Sequence, residues 1–246
     1  YNKYPFIILP EMYYLDDNIK KDILNYVNNG GSLLVTGYNS SKFFFNEMNI
    51  IEDSSSLSAN SYYLNFNEEF STVNGNYHKI KLPENSIVKG YLFSTLLPRT
   101  PQLPAGAIFN YGKGKIGFIF IDIGSHYFKG ASSKLRDYIS CFIKDLFPNP
   151  VVQVKGSHYL DVTLNSKNGK TIINLINTSG NHNSSSIDVY DEVLPINDIY
   201  LTISYPKKPK KVFLLPDEKN INFIYKDSKI LIKIPKIEIH SLVVIE

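Results

Sequence analysis

The first forty residues place apolar runs on either side of a helically spaced apolar stripe, an order typical of a β-α-β unit. Phe6–Leu9 is an apolar run that Pro10 closes. Apolar residues then recur at helical spacing over Ile19–Val27, and a second apolar run covers Leu33–Val35. We therefore predict a strand, a helix and a second strand parallel to the first.

The ends of this predicted helix carry their own signals. Asp16 suits the N-cap position, and Gly30 stands where a left-handed C-cap residue belongs. Tyr1 is not an initiator methionine, and the β-α-β pattern begins within a few residues of it. We therefore expect the chain to be a piece of a larger protein.

The rest of the first half is less regular. Residues 38–106 predict insertions and edge strands. Gly112–Gly114 predicts a turn into an apolar strand over Lys115–Ile121, and a polar loop is expected over Asp122–Gly130. A helix is predicted over Ser132–Phe147, where a following proline ends it.

After residue 148 the helical spacing gives way to short runs with period-two alternation. Asn168-Gly169 predicts a hairpin turn between two of them. The strands we predict are Tyr159–Leu164, Thr171–Ile176, Ile199–Ser204, Val212–Leu215, Asn222–Tyr225, Lys229–Ile234 and Glu238–Ile245. The predicted fold class is an α/β domain over residues 1–147 followed by an antiparallel β-sandwich over residues 151–246.

Composition excludes several function classes. The net charge of +3 is too small to indicate a nucleic-acid or membrane partner, and no apolar run approaches the roughly 20 residues that span a bilayer. The one cysteine excludes an internal disulfide and a cysteine-based structural zinc site. The five histidines show no metal-binding spacing, so we expect no metal and no cofactor. The cellular compartment stays open, with the cytoplasm as our default expectation.

Short motifs follow each other in order along the first half: FIILPE at 6–11, YVNNGG at 26–31, LLVTG at 33–37 and GKGKIGFI at 112–119. With the closing helix, they resemble the β-galactosidase trimerisation domain, a degenerate relative of the class I glutamine amidotransferase fold. The resemblance implies an amidotransferase-like, flavodoxin-like α/β domain with an oligomerising role.

The second half carries INLIN at 173–177, VLPI at 193–196, VFLLP at 212–216 and IHSLVVIE at 239–246. These motifs are similar to the small C-terminal β-domain of the same multidomain glycoside hydrolases. The resemblance implies a non-catalytic part of an enzyme whose barrel is α-amylase-like or α-L-fucosidase-like. The implied partners are that catalytic barrel and sister subunits in a homotrimer, with carbohydrate as a further candidate.

Polar residues after the predicted strands mark the candidate site. Glu11 follows the first strand, and Asp122, His126 and Tyr127 follow the strand that ends at Ile121. Open α/β sheets bind ligands at this edge, and His126 could titrate near neutral pH with Asp122 orienting it. The alternative is that Asp122 caps backbone amides and His126 contacts a neighbouring domain. Glu11 could be a relic of an ancestral site or meet the barrel, and the alternative for it is a solvated or helix-capping role. Without a nucleophile or metal partner in view, we favour these alternatives.

The sequence assigns no catalytic residue. An amidotransferase needs a cysteine after a strand, whereas Cys141 lies in the last predicted helix as a core or boundary residue. Ser40 and Ser41 lack the G-x-S-x-G pattern. Glycoside hydrolysis needs two carboxyl groups about 5 to 10 Å apart, and the pair Glu68-Glu69 is expected to be exposed. A degenerate amidotransferase-type enzyme is the less favoured alternative.

A pair of carbohydrate-binding modules is a rival function. The chain has 18 tyrosines and no tryptophan, and tyrosine rings can stack on sugars. The candidate platforms are Tyr13, Tyr14, Tyr62, Tyr63, Tyr159 and Tyr190. A row of exposed tyrosines on one sandwich face would favour sugar binding, whereas an apolar patch on the α/β domain would favour assembly.

Two surface features bear on assembly. Tyr4, Phe6 and Phe43–Phe45 are predicted to form an apolar patch that a partner covers. The run Lys207–Lys211, which Pro206 precedes, is predicted to protect a sheet edge from aggregation. The alternative for these lysines is a site for a polyanion.

Overall fold

A computed structural model describes residues 1–53, 61–75, 78–96, 102–130, 132–180 and 192–246. The chain divides into two compact units, Tyr1–Pro148 and Asn149–Glu246, which we call unit 1 and unit 2. Strand predominates over helix among the described residues. Tyr190, one of the predicted tyrosine platforms, lies outside them.

Unit 1 mixes helices with strands of varied length. Its described helices are α1 (Asp17–Asn28), α2 (Tyr38–Lys42), α3 (Ile123–Gly130) and α4 (Ser133–Leu146). Its described strands are β1 (Phe6–Leu9), β2 (Ser32–Thr36), β3 (Ile51–Glu52), β4 (Ser61–Phe66), β5 (Glu69–Asn74), β6 (Ile80–Lys81), β7 (Ile87–Val88), β8 (Tyr91–Phe93), β9 (Leu103–Pro104), β10 (Gly106–Tyr111) and β11 (Gly114–Ile119).

The main sheet of unit 1 has the strand order β1-β2-β11-β10-β7. Strands β1, β2 and β11 run parallel, and β10 and β7 are antiparallel to their neighbours. Leu33, Leu34 and Val35 of β2 are completely buried, as expected for a central strand that is covered on both faces. The predicted strand, helix and parallel strand are therefore confirmed.

Helix α1 begins and ends where its local signals predict. The Asp16 carboxylate accepts hydrogen bonds from two first-turn amides, at 2.9 and 3.3 Å. At the other end, the Gly30 amide donates to the Val27 carbonyl and the Gly31 amide to the Tyr26 carbonyl, which is the Schellman arrangement. Gly30 has a φ of 112°, a value that favours glycine.

The end of unit 1 contains one correct prediction and one wrong one. Helix α4 confirms the helix predicted over Ser132–Phe147, and its apolar stripe is buried or half-buried. The polar loop predicted over residues 122–130 is wrong, because residues 123–130 form α3. The capping group of α3 is the side chain of Glu11, which lies far away in the sequence.

The irregular region between α2 and β10 contributes short strands. Strands β5, β4, β8 and β9 form a second sheet in that order, and β3 pairs with β6. The insertions and edge strands expected over residues 38–106 take this form in the described part of the region. Strand β10, which pairs with β11 along its whole length, was not predicted.

Phe43–Phe45 belongs to the hydrophobic core of unit 1. Phe44 is completely buried, with its ring centroid 6.2 Å from that of Phe118. Phe45 is also buried, 6.3 Å from Phe120. The prediction that this aromatic run forms a patch for a partner is therefore wrong, because unit 1 itself already covers the rings.

Unit 2 contains antiparallel strands in two sheets. Its described strands are β12 (Val152–Lys155), β13 (Leu160–Lys167), β14 (Lys170–Asn177), β15 (Ile196–Ser204), β16 (Val212–Leu215), β17 (Lys219–Asn220), β18 (Phe223–Lys226), β19 (Lys229–Ile237) and β20 (His240–Ile245). One sheet has the order β12-β15-β19-β18 and the other β13-β14-β20-β16-β17. Inward-facing residues of both sheets share one hydrophobic core, so the predicted antiparallel sandwich is confirmed.

Local sequence signals explain much of the sandwich. Asn168 and Gly169 both have positive φ, 52° and 75°, as a two-residue hairpin turn requires. Along β19, Ile230, Ile232 and Ile234 are buried while the residues between them are exposed. Period-two alternation thus places isoleucines in the core and lysines in solvent.

Candidate functional site

The three parallel strands of unit 1 bring distant residues together at their carboxyl ends. Strand β1 leads to Glu11, β2 to Gly37 and β11 to Asp122, and β2 lies between the other two. A Cβ atom on Gly37 would lie 2.8 Å from Asp122 Oδ1 and 3.0 Å from Glu11 Cγ. We call this place, defined by Glu11, Gly37 and Asp122, the strand-end crevice.

The Glu11 carboxylate closes the N-terminus of α3. Its Oε1 accepts a hydrogen bond from the Gly124 amide at 2.6 Å, and both oxygens accept from the Ser125 amide at 3.2 Å. The Ser125 hydroxyl also donates to Oε2. Free amides of a first helical turn are otherwise unsatisfied, and the helix dipole stabilises a negative charge there. The Glu11 side chain therefore caps the N-terminus of α3.

Asp122 lies beside Glu11 in a different electrostatic setting. Partial desolvation by the surrounding protein raises the pKa of the Asp122 carboxyl, and the charge of Glu11 raises it further. His126 and a hydrogen bond from the Tyr38 amide oppose this rise in pKa. The side chain retains access to solvent, so protons can exchange with it.

His126 and Tyr127 both make contacts within unit 1. His126 Nε2 is hydrogen-bonded to the carbonyl oxygen of Asn74, the last residue of β5. A carbonyl oxygen only accepts, so Nε2 carries the proton. Tyr127 packs against the hydrophobic core of unit 1. The structure thus gathers Glu11, Asp122 and His126 at one edge, whereas Tyr127 has a packing role.

The cavity beside Asp122 is very small. It has a volume of about 20 Å³ and is lined by residues that include Tyr38, Tyr62, Asn74 and Phe120. Pockets for small molecules usually measure roughly 300 to 1,000 Å³. A water molecule fits in this cavity, but a sugar ring or a glutamine side chain does not.

The sequence pattern does not predict a polar cluster that lies next to the strand-end crevice. The Tyr38 hydroxyl donates to Glu52 Oε1, Lys42 Nζ lies 2.9 Å from Glu52 Oε2, and the His78 ring stacks on Tyr38 at 4.3 Å between centroids. The bonds from Tyr38 and Lys42 lower the pKa of Glu52. Burial, together with Glu52, raises the pKa of Tyr38 far above its usual range. The cluster therefore ties α2 to β3 and offers no reactive phenolate.

Sequence spacing could not reveal this cluster because its members are dispersed over residues 38–78. The available signal was Tyr38 itself, which stands directly after Gly37, the glycine that follows β2. Its partners come from the irregular region, where no periodic pattern fixes the position of a side chain.

The side chains that could act as nucleophiles are either held in hydrogen bonds, as in Ser40 and Ser41, or protonated near neutral pH, as in Cys141. Ser40 and Ser41 are completely buried. Ser40 Oγ accepts from the Met12 amide at 2.5 Å and donates to the Met12 carbonyl, and Ser41 Oγ donates to the Gly37 carbonyl at 2.8 Å. Burial raises the pKa of the Cys141 thiol to about 11, so its reactive thiolate is scarce near neutral pH.

The remaining sequence candidates divide between surface and core. Tyr13 and Tyr14 are exposed, Tyr63 is half-buried, and Tyr62 is buried in the core. Tyr62 is therefore not a stacking platform. The pair Glu68-Glu69 is exposed, as predicted: Glu68 lies in the turn after β4, and Glu69 is the first residue of β5.

In the described ranges, no group of three or more His, Cys, Asp or Glu side chains is placed to hold a metal ion. Nor does any helix among those residues have the length and apolar character needed to cross a membrane.

Comparison with solved structures identifies the fold. The chain matches α-L-fucosidase isoenzyme 2 from Paenibacillus thiaminolyticus over 100% of its own length and 41% of the fucosidase, with a TM-score of 0.81 and 16% identity. A catalytic mutant of a GH42 β-galactosidase from G. stearothermophilus matches over 100% of this chain and 32% of the enzyme, with a TM-score of 0.62 and 15% identity. A β-galactosidase from Bacillus circulans sp. alkalophilus matches over 99% and 33%, with a TM-score of 0.59 and 14% identity.

At these identities the likeness establishes a shared fold alone. The chain spans less than half the length of each of these glycoside hydrolases. No protein-family model matches the sequence, and no curated protein does. In fold, the chain is related to part of several glycoside hydrolases.

Proposed function

We propose that this chain is a non-catalytic part of a glycoside hydrolase that supports a catalytic barrel and contributes to assembly. In this proposal unit 1 is an amidotransferase-like, flavodoxin-like domain of the trimerisation type, and unit 2 is a supporting β-sandwich. The observation that carries the proposal is the match of the whole chain to 41% of a fucosidase at a TM-score of 0.81.

The strand-end crevice supports a non-catalytic role. Glu11 is engaged by the amides of α3, and His126 Nε2 by a backbone carbonyl. The cavity beside Asp122 holds no more than water-sized molecules at about 20 Å³. These groups act as structural bonds, which also argues against a degenerate amidotransferase-type enzyme.

Strand β1 offers a surface for assembly. It pairs with β2 and with no other described strand, so one row of its backbone groups is free to bond to a partner. Ile8 in this strand is 47% exposed. Tyr4, from the patch predicted earlier, is exposed beside it, and Phe6 is half-buried against Phe147. The proposed partners at this edge are sister copies of the chain, in a homotrimer, and the catalytic barrel.

Sedimentation velocity of the chain at micromolar concentration tests the assembly role. We expect the wild type to form trimers and Ile8→Lys to shift the population to monomers, since a lysine on an edge strand opposes edge-to-edge pairing. Ile224→Lys is the matched control. Ile224 is 66% exposed on β18, which is an edge strand of unit 2.

A monomeric wild type, or equal dissociation by both substitutions, would rule out assembly through β1. Circular dichroism of each variant separates loss of assembly from loss of fold.

The sugar-binding alternative has less support. The exposed tyrosines among the described residues of unit 2 are Tyr159 and Tyr200. Tyr200 lies on β15, whereas Tyr159 directly precedes β13 in the other sheet. They do not form the row on one face that a stacking platform requires, so we prefer the support and assembly role.

A further inference from the structure

The run Lys207–Lys211 does not have the role predicted from sequence. It lies in the connection between β15 and β16, and each of these strands is paired on both sides. The lysines therefore do not protect a sheet edge, and the prediction is wrong. Pro209 is buried, whereas Lys207, Lys208 and Lys210 are exposed. The proline anchors the loop, and the lysines carry its charge into solvent.

This loop lies against the turn between β13 and β14. Lys167 and Lys170 are paired across that turn, and Lys170 forms an ion pair with Glu246. The Glu246 carbonyl accepts a hydrogen bond from the Lys210 amide at 2.6 Å. A groove of about 450 Å³ separates the turn from the loop. We call it the lysine groove, and its lining includes Lys170, Tyr205, Lys207, Lys208, Lys210 and Glu246.

The turn between β18 and β19 meets the same loop. The Tyr205 amide donates to the Ser228 carbonyl at 2.8 Å, and Lys226 is paired with Lys229 across this turn. The three connections and the strand residues that flank them carry eight lysines and one carboxylate, that of Asp227. Glu246, which follows β20 and pairs with Lys170, adds a second carboxylate. The positive excess of these residues is larger than the net charge of +3 of the whole chain, so positive charge is concentrated at this end of unit 2.

The loop lysines are available to a ligand. Lys207, Lys208 and Lys210 form no ion pair with any described residue. A lysine ammonium is a mobile point charge that pairs with sulfate, carboxylate or phosphate oxygens. The groove volume lies within the range of roughly 300 to 1,000 Å³ that is usual for small-ligand sites. The site therefore fits one or two sugar units that carry negative groups.

We propose that the lysine groove binds the sulfate or carboxylate groups of an acidic polysaccharide. Tyr205 also lines the groove, with its side chain half-buried against the core of unit 2. Unit 2 contains no arginine in its sequence, and arginine is the residue typical of nucleic-acid recognition. The choice of a polysaccharide over other polyanions also rests on the proposed glycoside hydrolase function.

Calorimetric titration of the whole chain tests this proposal with heparin as the sulfated probe and polygalacturonate as the carboxylated one. We expect binding that weakens between about 50 and 200 mM salt. The double variant Lys207→Glu, Lys208→Glu should lose at least about tenfold in affinity, because two charges facing a polyanion are reversed. The variant Lys155→Glu, Lys219→Glu has the same net charge, lies outside the three connections, and should bind as the wild type does.

Equal losses in both double variants would overturn the site, because only overall charge would then matter. Binding of neutral dextran as tight as that of heparin would overturn the charge mechanism. Double-stranded DNA bound as tightly as heparin, with the same dependence on Lys207 and Lys208, would overturn the choice of polysaccharide. None of these results affects the sedimentation test of assembly, so the two proposals fail independently.

Discussion

Glu11 acts on two neighbouring groups in opposite directions. Its charge favours the N-terminus of α3, a contribution that is typically about 0.3 to 1 kcal/mol and reaches about 2 kcal/mol in partly buried geometries. The same charge raises the pKa of Asp122. The strand-end crevice thus favours a negative charge on one carboxylate and opposes it on the other.

We therefore expect Asp122→Asn to stabilise the protein at neutral pH. The raised pKa means that the folded state keeps its proton to higher pH than the unfolded chain does. The folding stability that this proton contributes is fully present below the pKa of Asp122 in the unfolded chain, about 3.9. It is lost as the pH rises through the pKa of Asp122 in the folded protein. Asparagine retains an acceptor for the Tyr38 amide and has no charge. Urea unfolding of wild type and variant between about pH 3 and pH 8 measures the difference.

The difference should be near zero at the acid end and should favour the variant increasingly towards neutral pH. Asp161→Asn is the control, since Asp161 is exposed on β13 and outside the crevice. A wild type that is more stable than Asp122→Asn at neutral pH would contradict the assigned electrostatics.

Helices α1 and α3 show which elements the sequence specifies locally. Asp16 and Gly30 mark the ends of α1 from within its own neighbourhood, so the pattern predicts this helix. The acceptor for the α3 amide of Gly124 is Glu11, 113 positions earlier. No sequence window contains both, so the sequence pattern predicts a loop where the fold forms a helix.

The same difference between local signals and long-range contacts decides which parts of the candidate site the sequence predicts. Glu11 and Asp122 could be placed at strand ends because β1 and β11 are readable apolar runs. The contacts of Tyr38 with Glu52 and His78 depend on the pairing of β3 with β6, two strands of two residues each. Strands this short have no measurable alternation, so their neighbours in space cannot be derived from the sequence.

Gly30→Val should destabilise unit 1 by about 1–2 kcal/mol, the usual penalty for a Cβ atom in a left-handed conformation. The positive φ causes the loss, because the nearest atom to an added Cβ is Lys113 Cβ at 3.9 Å, an ordinary contact. Gly130→Val is the control, since an added Cβ there meets nothing within 4 Å. Denaturant midpoints of the three proteins give the comparison, and an unchanged midpoint for Gly30→Val would show that α1 ends elsewhere.

At the scale of the whole molecule, we expect no turnover of aryl glycosides or of glutamine by this chain. Ser40 and Ser41 are buried, the pKa of Cys141 is about 11, and the crevice cavity measures about 20 Å³. Assays run beside an active glycoside hydrolase and an active glutaminase check this expectation. Turnover that disappears in His126→Ala would reassign the crevice as an active site.

The bond between Glu11 and α3 has a practical consequence for anyone who alters the start of the chain. Deleting residues up to 11, or fusing a partner that displaces β1, would leave the Gly124 and Ser125 amides without their acceptor. The first turn of α3 would fray, and frayed turns are cut by proteases. Helix α3 has only eight residues, and Lys129 is exposed in its last turn. If fraying opens the whole helix, trypsin cleavage after residue 129 reports damage done more than a hundred residues earlier.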